Sequence, residues 1–162
     1  VASLLHARAP RALLAPPVAV ALAAATATLL HLPAAMDAVE RHAALHAVDH
    51  AALFWTATLA WAALLGADPV PHAPGPIGVL IATAAWMVPM AFVGAAYANA
   101  DRLLVPAYAA AGDTLAGQRD AGTIMVLGAP LLLVPFALGA AGRALWREED
   151  RQRRRERAEG TR

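Results

Sequence analysis

The chain has no cysteine and no lysine, a single serine at Ser3, 6% aromatic residues and only 15% charged residues among 162. Without cysteine there can be no disulfide, no thiolate metal ligand and no thiol nucleophile. One serine leaves no basis for a Ser-His-Asp hydrolase, and neither a His-Glu-x-x-His zinc motif nor a Gly-rich phosphate loop occurs. Chemistry, if any, falls to histidine, methionine and carboxylate. No internal repeat is present, and no nucleic-acid partner is expected.

What the chain does have is apolar surface. Hydrophobic residues make up 59%, above the ~45 to 50% of soluble domains. Much of this is alanine, so the placement of charge is the stronger signal. No charged residue occurs from Ala12 to Leu32, from Ala51 to Gly66, from Ile77 to Ala98 or from Ala121 to Gly142. About 20 helical residues cover the ~30 Å hydrocarbon core. The expected fold is therefore an all-α integral membrane bundle of about four spans, near 12–32, 43–66, 77–98 and 121–142, within a transmembrane domain 1–146. The first run exceeds the ~7 to 15 residues of a cleavable signal, and Pro16 and Pro17 suit its opening turn. The second reaches full length only if it starts near Ala43, which brings His46, Asp49 and His50 into its outer part. Pro89, Pro130 and Pro135 are expected to kink spans 3 and 4 and to open a cavity near that level. Gly139 and Gly142 are expected to serve close packing. With so few spans, further helices or a second copy of the chain are expected to complete the bundle.

Arginine sets the orientation. Arg8 and Arg11 precede the first run, and Arg143, Arg147, Arg151, Arg153, Arg154, Arg155 and Arg157 follow the last. An even number of spans then puts both termini on the cytoplasmic side of a cell membrane. The connections 33–42 and 99–120 face outward, and the Pro-rich turn Asp68–Pro76 faces inward. The tail 147–162 alternates acid and base, with Glu149 and Asp150 set i, i+4 to Arg153 and Arg154, as in a solvated helix. Docking on anionic membrane lipid is a second reading of this tail.

One stretch breaks the apolar pattern. His42, His46, Asp49 and His50 fall within roughly a quarter turn of a helical wheel, one polar stripe on an apolar helix. Ionisable groups inside a span usually face the bundle interior and mark a function. Met87, Met90 and Met125 lie on spans 3 and 4, and Gln118, Gly122 and Met125 share a helical face. Imidazole suits copper or zinc, and thioether sulfur selects reduced copper, so copper is the expected metal. Alternatives are histidines at a membrane interface with methionines as packing, which makes a cofactor-free interaction subunit; a b-type haem carrier using His31 opposite His46 or His50; and a transport path along the stripe. His6, His31 and His72 taken singly read as solvated.

The element His46-Ala-Val-Asp49-His50, followed by Phe54-Trp55, resembles the His-x-x-acid-His motif of the CtaG-type cytochrome c oxidase assembly factors, a bacterial membrane protein family. Pro106-Ala-Tyr108 and Leu115-Ala-Gly-Gln118-Arg-Asp-Ala-Gly122-Thr-Ile-Met125 are similar to its later segments, in the same order. The resemblance runs from about His31 to Gly142. Gly117 stands where the family has Asp, Val126 where an aromatic is usual, and the family's upstream His-Met-x-x-His segment is not found. The resemblance implies a non-enzymatic role, loading copper into oxidase subunits at the outer membrane face. It makes His46, His50 and Met125 candidate ligands, with His42 beside them on the stripe. Asp49 becomes a ligand or the acceptor that orients an imidazole, and Gln118, Tyr108 and Gly122 supporting groups.

Overall fold

The computed structural model describes residues 13–67, 70 and 74–160. The arginines of the first segment, His6, His72 and most of the Asp68–Pro76 turn lie outside the described residues. Among those described, all regular structure is helical: α1 Pro16–Leu30, α2 Pro33–Arg41, α3 Ala43–Leu65, α4 Pro76–Ala98, α5 Pro106–Ala111 and α6 Leu115–Gly160.

Proline and glycine set the boundaries. Proline opens α1, α2, α4 and α5 in the first turn, where its missing N–H costs nothing. Pro33 also holds Leu32 extended, at ψ 143, so the chain turns by 73° between α1 and α2. At the other end of α3, Gly66 takes a left-handed φ of 62, and Ala67 N–H reaches back to the Ala62 carbonyl at 3.0 Å. That is the glycine-dependent helix stop.

Two described helices, α3 and α4, are long and apolar enough to cross a membrane, and the bent α1–α2 pair makes a third if taken as one span. The expected start of the second span at Ala43 matches the start of α3. Two expectations need correcting. The 15 residues of α1 extend only about 22 Å, short of the ~30 Å core. The outward connection 33–42 is mostly the helix α2, whose Asp37, Glu40 and Arg41 suit a cap lying across the bundle end. The charge-free run 121–142 lies inside α6, which continues unbroken into the charged tail.

The outside of the bundle is apolar: Phe92 is 74% and Leu131 76% exposed, and Ile77, Phe136 and Trp146 behave alike. Such a surface needs lipid or protein around it rather than water. Inside, α4 is the hub. It meets α1 and α3 through Trp86 against Val20, Ala23, Ala60 and Leu64. It meets α6 through Val79 against Ala140 and Ala141. At its far end Val93 and Tyr97 gather Val105, Tyr108 and Met125. The α4–α6 contact is the most extensive in the fold. Its tightest point is Gly94 against Gly122, where a Cβ on either glycine would run into the other's backbone.

The helices run on through Pro89, Pro130 and Pro135. A cavity of about 530 Å³ sits at the end away from the histidines, lined by Pro16, Pro17, Val20, Gly78 and Ala82 among others. A shallow cleft beside Pro130 and Pro135 is lined by α6 alone. Gly139 and Gly142 have open space where a Cβ would stand, so within this chain they are not packing contacts.

Candidate functional site

The polar stripe begins where α3 starts. His42 is extended, at φ −135 and ψ 107, and serves as the N-cap without a side-chain cap bond. Residues 42–48 and His50 are all exposed. Along α3 the buried positions are Asp49, Ala60, Ala63 and Leu64, which put one face on α1. His46 and His50 fall on the flank of that face. The stripe is therefore split: the histidines look outward, and only Asp49 turns in. This corrects the expectation that the whole stripe faces the bundle interior. Which flank is covered depends on neighbours, not on the periodicity of α3.

His46 and His50 converge on each other. Their Nε2 atoms are 2.9 Å apart, and the rings stack with centroids 4.7 Å apart. One ring's Nε2–H donates to the other's Nε2 lone pair, which fixes opposite tautomers for the two. The geometry follows from the i, i+4 spacing, which sets side chains one above the other. Asp49 is 7% exposed, and its Oδ1 has no hydrogen-bond partner; the Thr28 hydroxyl oxygen on α1 is likewise buried and unpartnered. Orphaned polar atoms in an apolar setting are costly. Among the described residues, no three His, Asp or Glu side chains gather closely enough to hold one metal ion.

The remaining expected site residues sit around the α4–α6 end. Met125 packs half-buried against the Val93, Tyr97 and Val105 cluster. Met87 lines an apolar groove with Leu80, Thr83 and Val134. Gln118 is 3% exposed and clamps the loop between α4 and α5: its Oε1 accepts from Leu104 N–H at 2.7 Å, and its Nε2 donates to the Arg102 carbonyl at 3.1 Å. Gly122 is the close crossing already described. Tyr108 packs beside Val105, and burial pushes its hydroxyl pKa up, with Glu40 and Asp113 adding to the effect. His31 holds its own helix end, Nδ1 2.8 Å from the Ala27 carbonyl, while its carbonyl accepts from Tyr97 Oη–H at 3.0 Å.

Asp37 was missed by the sequence reading. Its Oδ1 accepts from Ala107 N–H at 2.7 Å, which caps the first turn of α5 from another helix. Both its oxygens also take the Arg41 guanidinium, at 2.9 and 3.1 Å. The Arg41 hydrogen bond, helped by the Ala107 amide, holds its carboxyl below the usual range. The i, i+4 spacing of Asp37 and Arg41 was visible in the sequence; the capped helix lies 70 residues away and was not.

A family model described as cytochrome c oxidase caa3 assembly factor matches residues 1–147. No curated protein and no solved structure matches the chain.

Proposed function

The chain belongs to the cytochrome c oxidase caa3 assembly factor family, and from that premise we propose that it carries copper as cargo on the exposed His46–His50 pair and passes it to an oxidase subunit. The approach of the two Nε2 atoms to 2.9 Å supports this reading. Metal–imidazole bonds of about 2.0 to 2.1 Å at a tetrahedral angle set the two nitrogens roughly 3.3 Å apart. The pair therefore opens by about 0.4 Å to take an ion, an adjustment well within one rotamer well. The ring that donates moves its proton to Nδ1, so both Nε2 lone pairs face the ion.

Two ligands on an exposed helix end suit cargo better than a resident cofactor. Open coordination positions let incoming ligands add before these two leave, so the ion need never be free. Neither Asp49 nor Met125 is a ligand in this reading. In this reading the arginine-rich end of α6 lies on the cytoplasmic side by the positive-inside rule, which sets the histidines at the outer face.

The test is copper content after incubation of the detergent-purified chain with reduced copper, beside a His46→Ala/His50→Ala variant, with a visible spectrum to detect haem. Copper retained by the wild type and lost by the folded variant is expected. A folded wild type that keeps no copper refutes the proposal, and a Soret band on it favours the haem alternative.

A further inference from the structure

We infer that the cavity between α1 and α4 holds an acyl chain of an anionic glycerophospholipid, whose phosphate lies on Arg147 and Arg151 of α6. The inference is independent of the copper reading and concerns the opposite end of the bundle.

The shape of the cavity comes first. Tyr97, near the end of α4, donates to the His31 carbonyl at the end of α1, so the two helices run in the same direction. Their first halves enclose about 530 Å³, within the ~300 to 1,000 Å³ of ordinary ligand pockets. Ala21, Ala24, Gly78, Ala82 and Ala85 line it, and side chains this small leave the room. The lining runs from Pro16 to Ala24 on α1, about 12 Å of helix. Where Trp86 packs with Val20 and Ala23, the interface is filled.

Depth decides between occupants. About 12 Å is close to half of the ~30 Å hydrocarbon core, so the space is one leaflet deep. A partner helix crosses the whole core and would find a place here for half its length only. An acyl chain ends near the midplane. No charged or polar side chain lines the space, which suits hydrocarbon and disfavours a peptide segment with polar groups to satisfy.

Charge marks the mouth. Pro74, at the rim, also borders a small polar hollow with Gly75, Ala144, Arg147, Glu148 and Arg151. A lipid seated in the cavity therefore brings its headgroup to two guanidiniums and one carboxylate, a net positive site. Arg154 follows on the same face, at i+7 from Arg147. Arg147 gives one N–H to the Leu65 carbonyl at 2.9 Å, which holds the side chain in place, and a guanidinium has five such donors. The apolar grooves beside Met87 and Pro130 share no residue with a basic hollow. Only an anionic amphiphile matches both halves of this site. The positive-inside rule sets this end at the cytoplasmic leaflet, where anionic lipid is found.

Native mass spectrometry of the full chain, delipidated in detergent and then given phosphatidylglycerol or phosphatidylcholine, tests the inference. The expected result is one phosphatidylglycerol per chain, held about fivefold or more tightly than phosphatidylcholine and not displaced by soluble glycerol phosphate, which lacks the acyl chain. Arg151→Gln should weaken phosphatidylglycerol binding by about fivefold and leave phosphatidylcholine unchanged. Ala21→Phe/Ala85→Phe, at two exposed positions and shown folded by circular dichroism, should fill the cavity and abolish binding of both lipids. Equal affinity for the two lipids, phosphatidylglycerol binding unchanged in the folded Phe variant, or no lipid retained by the wild type overturns the inference. A dimer that the Phe variant breaks assigns the cavity to a second copy of the chain and overturns it likewise.

Discussion

Replacing Gly122 with alanine should be among the most damaging small substitutions in this chain. A Cβ built there falls on the Ala98 amide nitrogen, 2.6 Å from the Gly94 carbonyl oxygen and 2.8 Å from the Tyr97 Cβ. Two of these are backbone and the third is the root of a buried ring, so none can swing aside. The α4 and α6 backbones must separate, and the separation spreads to Val93 and Tyr97, which share a cluster with Met125. Overpacking of this kind costs about 1 to 3 kcal/mol, roughly a five- to 150-fold loss in folding equilibrium. Gain in helix propensity returns no more than ~1 kcal/mol. The control is Gly139→Ala on the same helix, where nothing lies within 4 Å of the new atom, so that variant should be neutral or slightly stabilised. Both are read by reversible unfolding in mixed micelles, followed by tryptophan fluorescence. Equal stability of the two variants would refute the α4–α6 crossing as described.

Gln118→Ala should lower stability by about 1 to 3 kcal/mol, since it leaves the Leu104 amide and the Arg102 carbonyl without partners; limited proteolysis should then cut the 99–105 loop sooner. Asp37 has a folded pKa below its ordinary 3.8, so its contribution is complete above that value and fades as pH falls through the lower folded one. Unfolding followed from pH 5 downward should show this loss in the wild type and not in Asp37→Ala, and parallel profiles would count against it. Tyr108 shifts the other way: stability it contributes is present below pH 10 and declines as pH rises past that, a decline Tyr108→Phe should remove. Arg147→Ala removes the guanidinium that donates to the Leu65 carbonyl at 2.9 Å, and should speed hydrogen exchange in the last turn of α3, as mass spectrometry would detect.

The features legible in the sequence are those with local causes. Charge-free length announced the spans, and Pro16 marked the start of α1 because a missing N–H costs least in a first turn. The i, i+4 spacing of His46 and His50 foretold their approach. Features with distant causes were hidden. Gly122 looked like part of a ligand face because its partner Gly94 lies on another helix. Gln118 looked like a site residue, and its burial is spent on holding a loop. The helix α2 was read as a connection because Pro33 and three charges resemble a turn as much as a capping helix.

Depth joins the split stripe to the proposed role. The 23 residues of α3 extend about 34 Å, some 4 Å more than the hydrocarbon core. Centred in a bilayer, the helix sets His46, its fourth residue, about 3 Å below the core boundary, and His50 one turn deeper. Asp49, at the same level as His50, is turned into the bundle, and away from headgroup water its unpartnered oxygen is costly; in the proposed role the histidine pair therefore stands at the rim of the membrane, where a partner protein can reach it.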